Sequence, residues 1–458
     1  MHPLLREVDW ERQEEEAVEL LRALLRFDTS NPPGDEAECI DFLADQVRQA
    51  GLEPEVLIPA PRRANLVVRL PASGGRDLPP LLLNGHVDVV PAEQGRWRHP
   101  PFAGEVHDGA IWGRGTVDMK QMVAMSVAVV RLLAELGAPL RRDLVLAAVA
   151  DEEAGCSMGS AFLVDQHPDK VRAGFALGEV GGFTLHFGRR AVYPVQVAEK
   201  GVCWMRARTR GTTGHGSVPR PDNAVIRLAE VVARAGTRLP VHPSAEVRRF
   251  VAALADAQPH PARDILPLLL RPRWSDLVLD RLVRDPTALR GLNAVLRNTV
   301  TPTVLRAGFK TNVIPGEAEA ELDGRIAVGS SEEELLAELR AVIGPEVELE
   351  VLRSVPPTVA SPDTELFELL AEVVADHHQG AVAVPSVIPG FTDAKYWSTL
   401  GTTCYGFSPL RLEPDDGVFA DLFHGDDERI PVAGFKAGLR MLADAVARFC
   451  LAPTAATA

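Results

Sequence analysis

LLLNGHVDVV, residues 81–90, opens as a run of leucines and ends in His86-Val87-Asp88. The run is too short for a helix and lacks polar alternation, the pattern of a strand covered on both faces. In open α/β sheets, functional groups collect where strands end at their carboxyl edge, which is where His86 and Asp88 fall. Working outward, Asn65–Leu70 and Leu144–Ala150 are also strand-like, and helical periodicity fills roughly 119–136 between two of these runs. Strand, helix, strand predicts an α/β sandwich with a largely parallel sheet. Amphipathic helices are predicted upstream at 14–26 and 36–50, the second closing at Gly51.

Near residue 200 the texture changes. Glu199–Arg210, EKGVCWMRARTR, alternates apolar with basic residues as a half-exposed strand does. A helix at 223–236, a second alternating strand at Glu317–Ile326, a helix at 331–343 and a strand at 346–352 complete a smaller α+β domain. The Pro-, Arg- and Leu-rich stretch 240–300 interrupts it as an insertion of mixed helix and loop. From 364 the first texture resumes, with the helix ELFELLAEVVADHH and strand-like segments near 384 and 402. The predicted architecture is a discontinuous α/β/α sandwich (1–199 and 353–458) interrupted by a second domain (200–352). The alanine-rich tail after Cys450 is expected to fray.

A length of 458 residues suits two domains or three, and 46% apolar with 24% charged residues is globular composition. The net charge of −15 argues against a nucleic-acid or anionic-membrane surface. An anionic small substrate stays compatible with it, because a local arginine or a metal ion can reverse the field inside a cleft. The five cysteines are scattered and form no CxxC pair, so neither a disulfide framework nor a thiolate zinc site is indicated. The N-terminal stretch is acidic and lacks the apolar run of a signal peptide, and Met122–Leu136 is too short to span a bilayer. A cytoplasmic location follows as the expectation.

The chemistry gathers at predicted strand and loop ends. His86-x-Asp88 would let Asp88 accept one imidazole N–H while the other nitrogen binds a metal. Asp118 stands in a glycine-rich turn before a helix; Asp151, Glu152 and Glu153 close LVLAAVADEEAG; Glu179 closes AGFALGEVGG. Each alone is explained as well by a helix cap or a solvated loop carboxylate. Together, successive strand ends deliver acids or a histidine and never a lysine. Carboxylate-plus-imidazole sets suit borderline divalent ions such as zinc. In the Glu152–Glu153 pair one acid can ligate while the other holds a proton from water.

The ordered motifs HVD (86–88), GRGTVDMK (113–120), DEE (151–153), GHGSVP (214–219), NVIPG (312–316) and FHGDDER (423–429) resemble those of one metallo-amidohydrolase family. That family includes aminoacylase, acetylornithine deacetylase, succinyl-diaminopimelate desuccinylase and glutamate carboxypeptidase. The resemblance covers almost the whole chain, and six motifs in order are far more specific than one. It implies a discontinuous catalytic domain with an inserted lid and dimerisation domain, and a possible homodimer through the latter. It implies two divalent ions bridged by Asp118, one completed by His86 and Glu179, the other by Glu153 and His424. Zinc is the expected metal, with cobalt or manganese as alternatives. Glu152 would be the general base, Asp88 the residue orienting His86, and His215 an oxyanion donor. Asn312 and Arg325 would hold substrate, Arg325 as a bidentate carboxylate clamp. Gly390 and Thr392 of PGFTDA would assist, although Phe391 interrupts the small-residue run usual there.

Other features have simpler explanations. His377 and His378 sit at a helix end, where a cationic side chain favours the dipole. His99, His107 and His186 lack matching partners in the sequence, Trp97 and Trp112 read as packing residues, and Cys156 as structural. The expected activity is amide hydrolysis of an N-acyl amino acid or a peptide C-terminus. The alternatives are a dipeptidase of the same family, a single-domain metallo-aminopeptidase relative, and a catalytically silent binding protein on the same scaffold.

Overall fold

The computed structural model describes residues 1–74, 78–187, 190–284, 286–416 and 419–452. The tail expected to fray lies, from residue 453 on, outside them. The chain divides into two compact units, one made of 1–197, 360–385 and 392–458, the other of 198–359 and 386–391.

In the first unit the apolar runs become strands. β1 (Glu55–Ala60) and β2 (Arg63–Leu70) form an antiparallel hairpin, followed by β3 (Leu81–His86). β4 (Glu105–His107) and β5 (Ala110–Trp112) form a second small hairpin, and β6 is Leu144–Val149. β7 (Phe175–Gly178), β8 (Leu185–Phe187) and β9 (Arg190–Glu199) follow. Every residue of β3 and β6 is buried, as their unbroken apolar character requires. β6, β3, β7 and the later β18 (Thr403–Gly406) run parallel as neighbours, flanked by antiparallel partners β2 on one side and β9 on the other. The sheet is mixed with a parallel centre. β1 escaped the sequence reading because its residues are only half-buried and carry no clean alternation.

The helix Lys120–Glu135 covers one face of β3, and its N-terminal half is buried all round. The helix Val432–Cys450 packs beside it and carries the fully buried Asp444. His377, expected only to favour a helix dipole, pairs with that carboxylate at 2.8 Å, and Arg448 adds an ion pair at 2.9 Å. Burial alone would raise the pKa of Asp444, but the bonds from His377, the His2 N–H and Arg448 outweigh it and hold the carboxyl well below the usual range. A group whose pKa is depressed by folding contributes stability above its unfolded value of about 4, and the contribution fades as pH falls below that. Asp444→Asn is therefore expected to cost about 2 kcal/mol at pH 7 and to flatten the loss of stability below pH 4, read by thermal melts across pH 3–7. Equal melting curves for both proteins would refute it.

The second unit is a four-stranded antiparallel sheet with its own core. Glu199–Arg210, read as one strand, is divided at Lys200: β9 ends at Glu199 and β10 runs Gly201–Arg210. β11 is Gly214–His215, β12 Thr299–Ala307, β13 Val313–Ile314, β14 Glu317–Ile326 and β15 Glu348–Val355. The sheet order is β12-β14-β10-β15, and β16 (Thr358–Val359) pairs with the end of β9. β12 was hidden by Pro302, which interrupts its pairing with β14 at an edge position, where a residue without an N–H is tolerated. Cys203, Met205 and Ala207 of β10 face a core built with Leu228 and Val231 of the helix Ala224–Ala235 and Leu335 and Leu339 of the helix Glu332–Ile343. On the opposite face, Arg206 and Arg208 lie among Glu317, Glu319, Glu321, Glu348 and Glu350 of the neighbouring strands. The basic alternation seen in the sequence is thus one half of a cross-strand charge ladder. The 240–300 insertion holds helices at Ala245–Asp256, Ala262–Ile265, Pro272–Leu282 and Pro286–Leu296.

β17 (Val382–Ile388) and β19 (Arg429–Pro431) complete the strands. All five cysteines are buried, and among the described residues none forms a disulfide. Among the described residues, no helix is long and apolar enough to cross a membrane.

Candidate metal centre

β3 delivers His86 to the carboxyl edge of the sheet, fully buried. Its Nδ1 lies 2.9 Å from the Asp88 main-chain carbonyl, an acceptor only, so in the neutral ring Nδ1 carries the proton and Nε2 offers its lone pair. The Asp88 carboxylate stands 3.5 Å from the same nitrogen, a longer contact than the carbonyl makes. That carboxylate also accepts the main-chain N–H groups of Glu152 at 3.1 Å and Glu153 at 3.2 Å, and the Asn31 amide at 2.9 Å. The reason lies in the sheet. β3 and β6 are parallel neighbours with His86 opposite Val149, so the turn after β6 lies beside Asp88. Asp88 orients the Glu152–Glu153 pair, and its own carbonyl orients His86.

Asp151, the first acid after β6, is a pivot. Its φ of 68° is left-handed, held by hydrogen bonds from Asn31 at 3.0 Å, Arg63 at 2.8 Å, Ser157 at 2.7 Å and the Met158 N–H at 3.0 Å.

Asp118 is presented by the loop 113–118, and the glycines of GRGTVD have a physical reason. Gly115 sits at φ 94°, where a side chain is strained, and a Cβ there would come within 3.0 Å of Val89. The loop wraps around the Glu428 carboxylate, which accepts the N–H groups of Gly115 (3.1 Å), Val117 (2.6 Å) and Asp118 (3.2 Å) and the Arg114 guanidinium at 2.8 Å. Burial raises the Glu428 pKa to about 7 despite these donors.

Two donor groups result. His86 Nε2 lies 3.1 Å from Asp118 Oδ1 and 3.6 Å from Glu179 Oε2. His424 Nε2 lies 3.3 Å from Asp118 Oδ2 and 3.2 Å from Glu153 Oε2. In each triad the donor atoms fall within 4.8 Å of one another, and Asp118 belongs to both. Glu152 stands beside them with Oε2 3.9 Å from His86 Nε2. Burial pushes Glu179 up to about 8 and raises Glu153 and Glu152, the latter also under the field of Glu179. Burial would raise Asp118 too, but bonds from His424 and His86 hold it low; those to Asp118 and Glu153 push His424 up to about 10. One oxygen each of Glu152, Glu153 and Glu179 is buried with no hydrogen-bond partner. Buried carboxylates crowded together, with unsatisfied oxygens and nitrogen donors aligned, are the environment a divalent cation repairs. The residues fit a pair of such ions.

The second unit brings two further candidates together. β11 and β13 pair, with His215 opposite Val313, and the Gly216 N–H donates to the Asn312 carbonyl at 2.9 Å. Both side chains are exposed. The Ser217 N–H donates to His215 Nδ1 at 3.2 Å, so a neutral ring carries its proton on Nε2 and presents a donor outward. Arg325 is not a free clamp. Its Nε and Nη2 fork onto Asp323, two residues along the same strand face, at 2.7 and 3.0 Å. Gly390 faces open space, whereas the Thr392 hydroxyl accepts the Ala394 N–H at the start of the helix Ala394–Trp397.

Sequence reasoning missed two buried acids. Glu428 stands inside FHGDDER, and its partner Arg114 inside GRGTVD; an acid and an arginine in two separate motifs were the available signal. Asp393, fully buried in PGFTDA, accepts from Ser160 and adds to the negative field on Glu152 and Glu179.

A model of peptidase family M20/M25/M40 matches residues 82–448. Human N-fatty-acyl-amino acid synthase/hydrolase PM20D1 is 31% identical over 382 residues, spanning 80% of this chain and 73% of its own. Human aminoacylase-1 is 28% identical over 442 residues, 93% of either chain. Among solved structures, the M20 family metallo-carboxypeptidase Sso-CP2 from Sulfolobus solfataricus superposes with a TM-score of 0.72 at 15% identity, covering 94% of this chain and 98% of its own. At that identity the likeness concerns the fold.

Proposed function

The chain belongs to peptidase family M20/M25/M40, and from that premise we propose that it hydrolyses the amide bond of N-acyl amino acids or of a peptide's C-terminal residue. The observation that carries this reading is the pair of donor triads sharing Asp118, one buried and one open to solvent at His424, beside a Glu152 with an unpartnered oxygen. The names of human PM20D1 and aminoacylase-1 favour N-acyl amino acids as the substrate class. His86, Asp118 and Glu179 would hold one divalent ion, and Asp118, Glu153 and His424 the other. Nitrogen and oxygen donors without thiolate suit zinc and accept cobalt or manganese. When bound, such a pair supplies Lewis acidity to the amide carbonyl and to water.

The chain's own groups do the rest. Glu152 takes a proton from the attacking water and returns it to the leaving nitrogen. Asp88 holds the Glu152 and Glu153 main chain in place for this. His215 donates Nε2–H to the developing oxyanion, with Asn312 beside it on the same ribbon. Arg325, steadied by Asp323, takes the substrate carboxylate, with Gly390 and Thr392 as secondary contacts to it.

A hydrolysis screen tests the reading with N-acyl amino acids, dipeptides and carboxylate-blocked analogues. The expected result is cleavage of N-acyl amino acids, with kcat/KM about 10- to 100-fold lower when the carboxylate is blocked, the worth of one charge-assisted hydrogen bond. Equal rates on blocked and free substrates would remove the clamp from the account, and preference for dipeptides would overturn the substrate class.

A further inference from the structure

A second group of donors lies outside the centre described above and shares no residue with it. His99, Glu105 and His107 bring two ring nitrogens and a carboxylate oxygen within 4.8 Å of one another, the same mutual reach as the two triads that share Asp118. Glu105 and His107 alternate on β4 and so project to one side of the hairpin. Their side chains meet at 2.8 Å, from His107 Nε2 to Glu105 Oε2, and the bond from His107 holds the Glu105 carboxyl below its ordinary range. His99 arrives from the loop after Trp97, and its ring stacks on that of His107, centroids 3.7 Å apart and planes 8° from parallel. Trp112 of β5 braces the pair, its ring edge-on to His99 at 4.7 Å and its indole N–H donating to the His107 carbonyl at 3.2 Å.

We propose that His99, Glu105 and His107 form a third, peripheral site for a zinc-class divalent ion, with water completing the coordination. Two imidazoles and a carboxylate are a common zinc donor set, and an open fourth position suits a site at the surface. The side chains of Glu105 and His107 are 47% and 37% exposed, so small rotations gather the donors onto one ion without disturbing a packed core. The ion would tie the 99 loop to the hairpin. That hairpin matters, because β5 pairs with β19 and runs directly into the loop that presents Asp118. The site is therefore a structural clip on the support of the buried centre.

The test is zinc stoichiometry on tag-free protein, stripped with chelator and re-equilibrated with zinc. His99→Phe and His107→Phe keep an aromatic ring in the stack and remove one donor each. Each variant is expected to bind one zinc ion fewer than wild type and to gain less in melting temperature from added zinc. Glu105→Gln, which leaves both histidines, should weaken that one site by about 10- to 100-fold. Equal zinc content and equal thermal response in all four proteins would overturn the proposal, leaving a stacked histidine pair bonded to an acid. The wild-type-minus-variant difference reads this site alone. It stays at one ion even if the buried centre holds none, and its absence says nothing against that centre.

Discussion

Glu152→Gln is expected to lower kcat by about 10²- to 10⁴-fold with little change in KM, which is the contribution of a general base removed without altering shape. The amide has the size of the acid but cannot carry a proton. Glu152 belongs to neither donor triad, so metal content should match that of wild type. Its main-chain N–H is fixed by Asp88, so the substituted side chain has no reason to relocate the turn. A second consequence follows from the electrostatics. Burial, Glu179, Asp393 and Glu153 all hold the Glu152 carboxyl well above its ordinary range, so a neutral side chain relieves repulsion in the ion-free protein. The ion-free variant should melt no lower than ion-free wild type, and it should melt higher as pH rises and the acids ionise. A variant that retains near-normal kcat would transfer the proton step to another residue; a variant that loses its metal would mean Glu152 is a ligand.

Much of the fold could be read from apolar runs. β3 and β6 are buried on both faces and show it as unbroken hydrophobicity, and β14 shows its alternation over the whole of Glu317–Ile326. β1 and β12 were not legible for opposite reasons. β1 is a half-exposed edge whose pattern is blurred, and β12 contains a proline that a strand tolerates only at an edge. In the candidate site, the residues at the ends of β3, β6 and β7 were legible because position and chemistry coincide there. His424 was legible only through the ordered motifs, since it stands 271 residues beyond Glu153 in sequence and meets it only in the fold. Asp88 was read as orienting His86 through its carboxylate, and its main-chain carbonyl makes the shorter contact, 2.9 Å against 3.5 Å. Whether a carboxylate or a carbonyl two residues on takes an imidazole N–H depends on main-chain direction after the strand, which residue types do not encode. The pairing of Arg325 with Asp323, the Glu428 anchor and the His99–Glu105–His107 group are likewise products of tertiary placement.

Removing divalent ions should have the other large effect, abolishing amide hydrolysis. Without cations the centre crowds Asp118, Glu152, Glu153, Glu179 and Asp393 around two histidines, and buried oxygens stay unsatisfied. Protons then substitute for metal, as the Glu179 pKa of about 8 indicates, so metal uptake releases protons and weakens as pH falls. The most direct test follows hydrolysis of an N-acyl amino acid and divalent-ion content in the same sample through chelation and stepwise re-addition of zinc, cobalt or manganese. Activity is expected to leave with the ions and to return as the two Asp118-sharing triads refill. Unchanged hydrolysis after the ions are gone, or full reloading with no amidase activity, would contradict it.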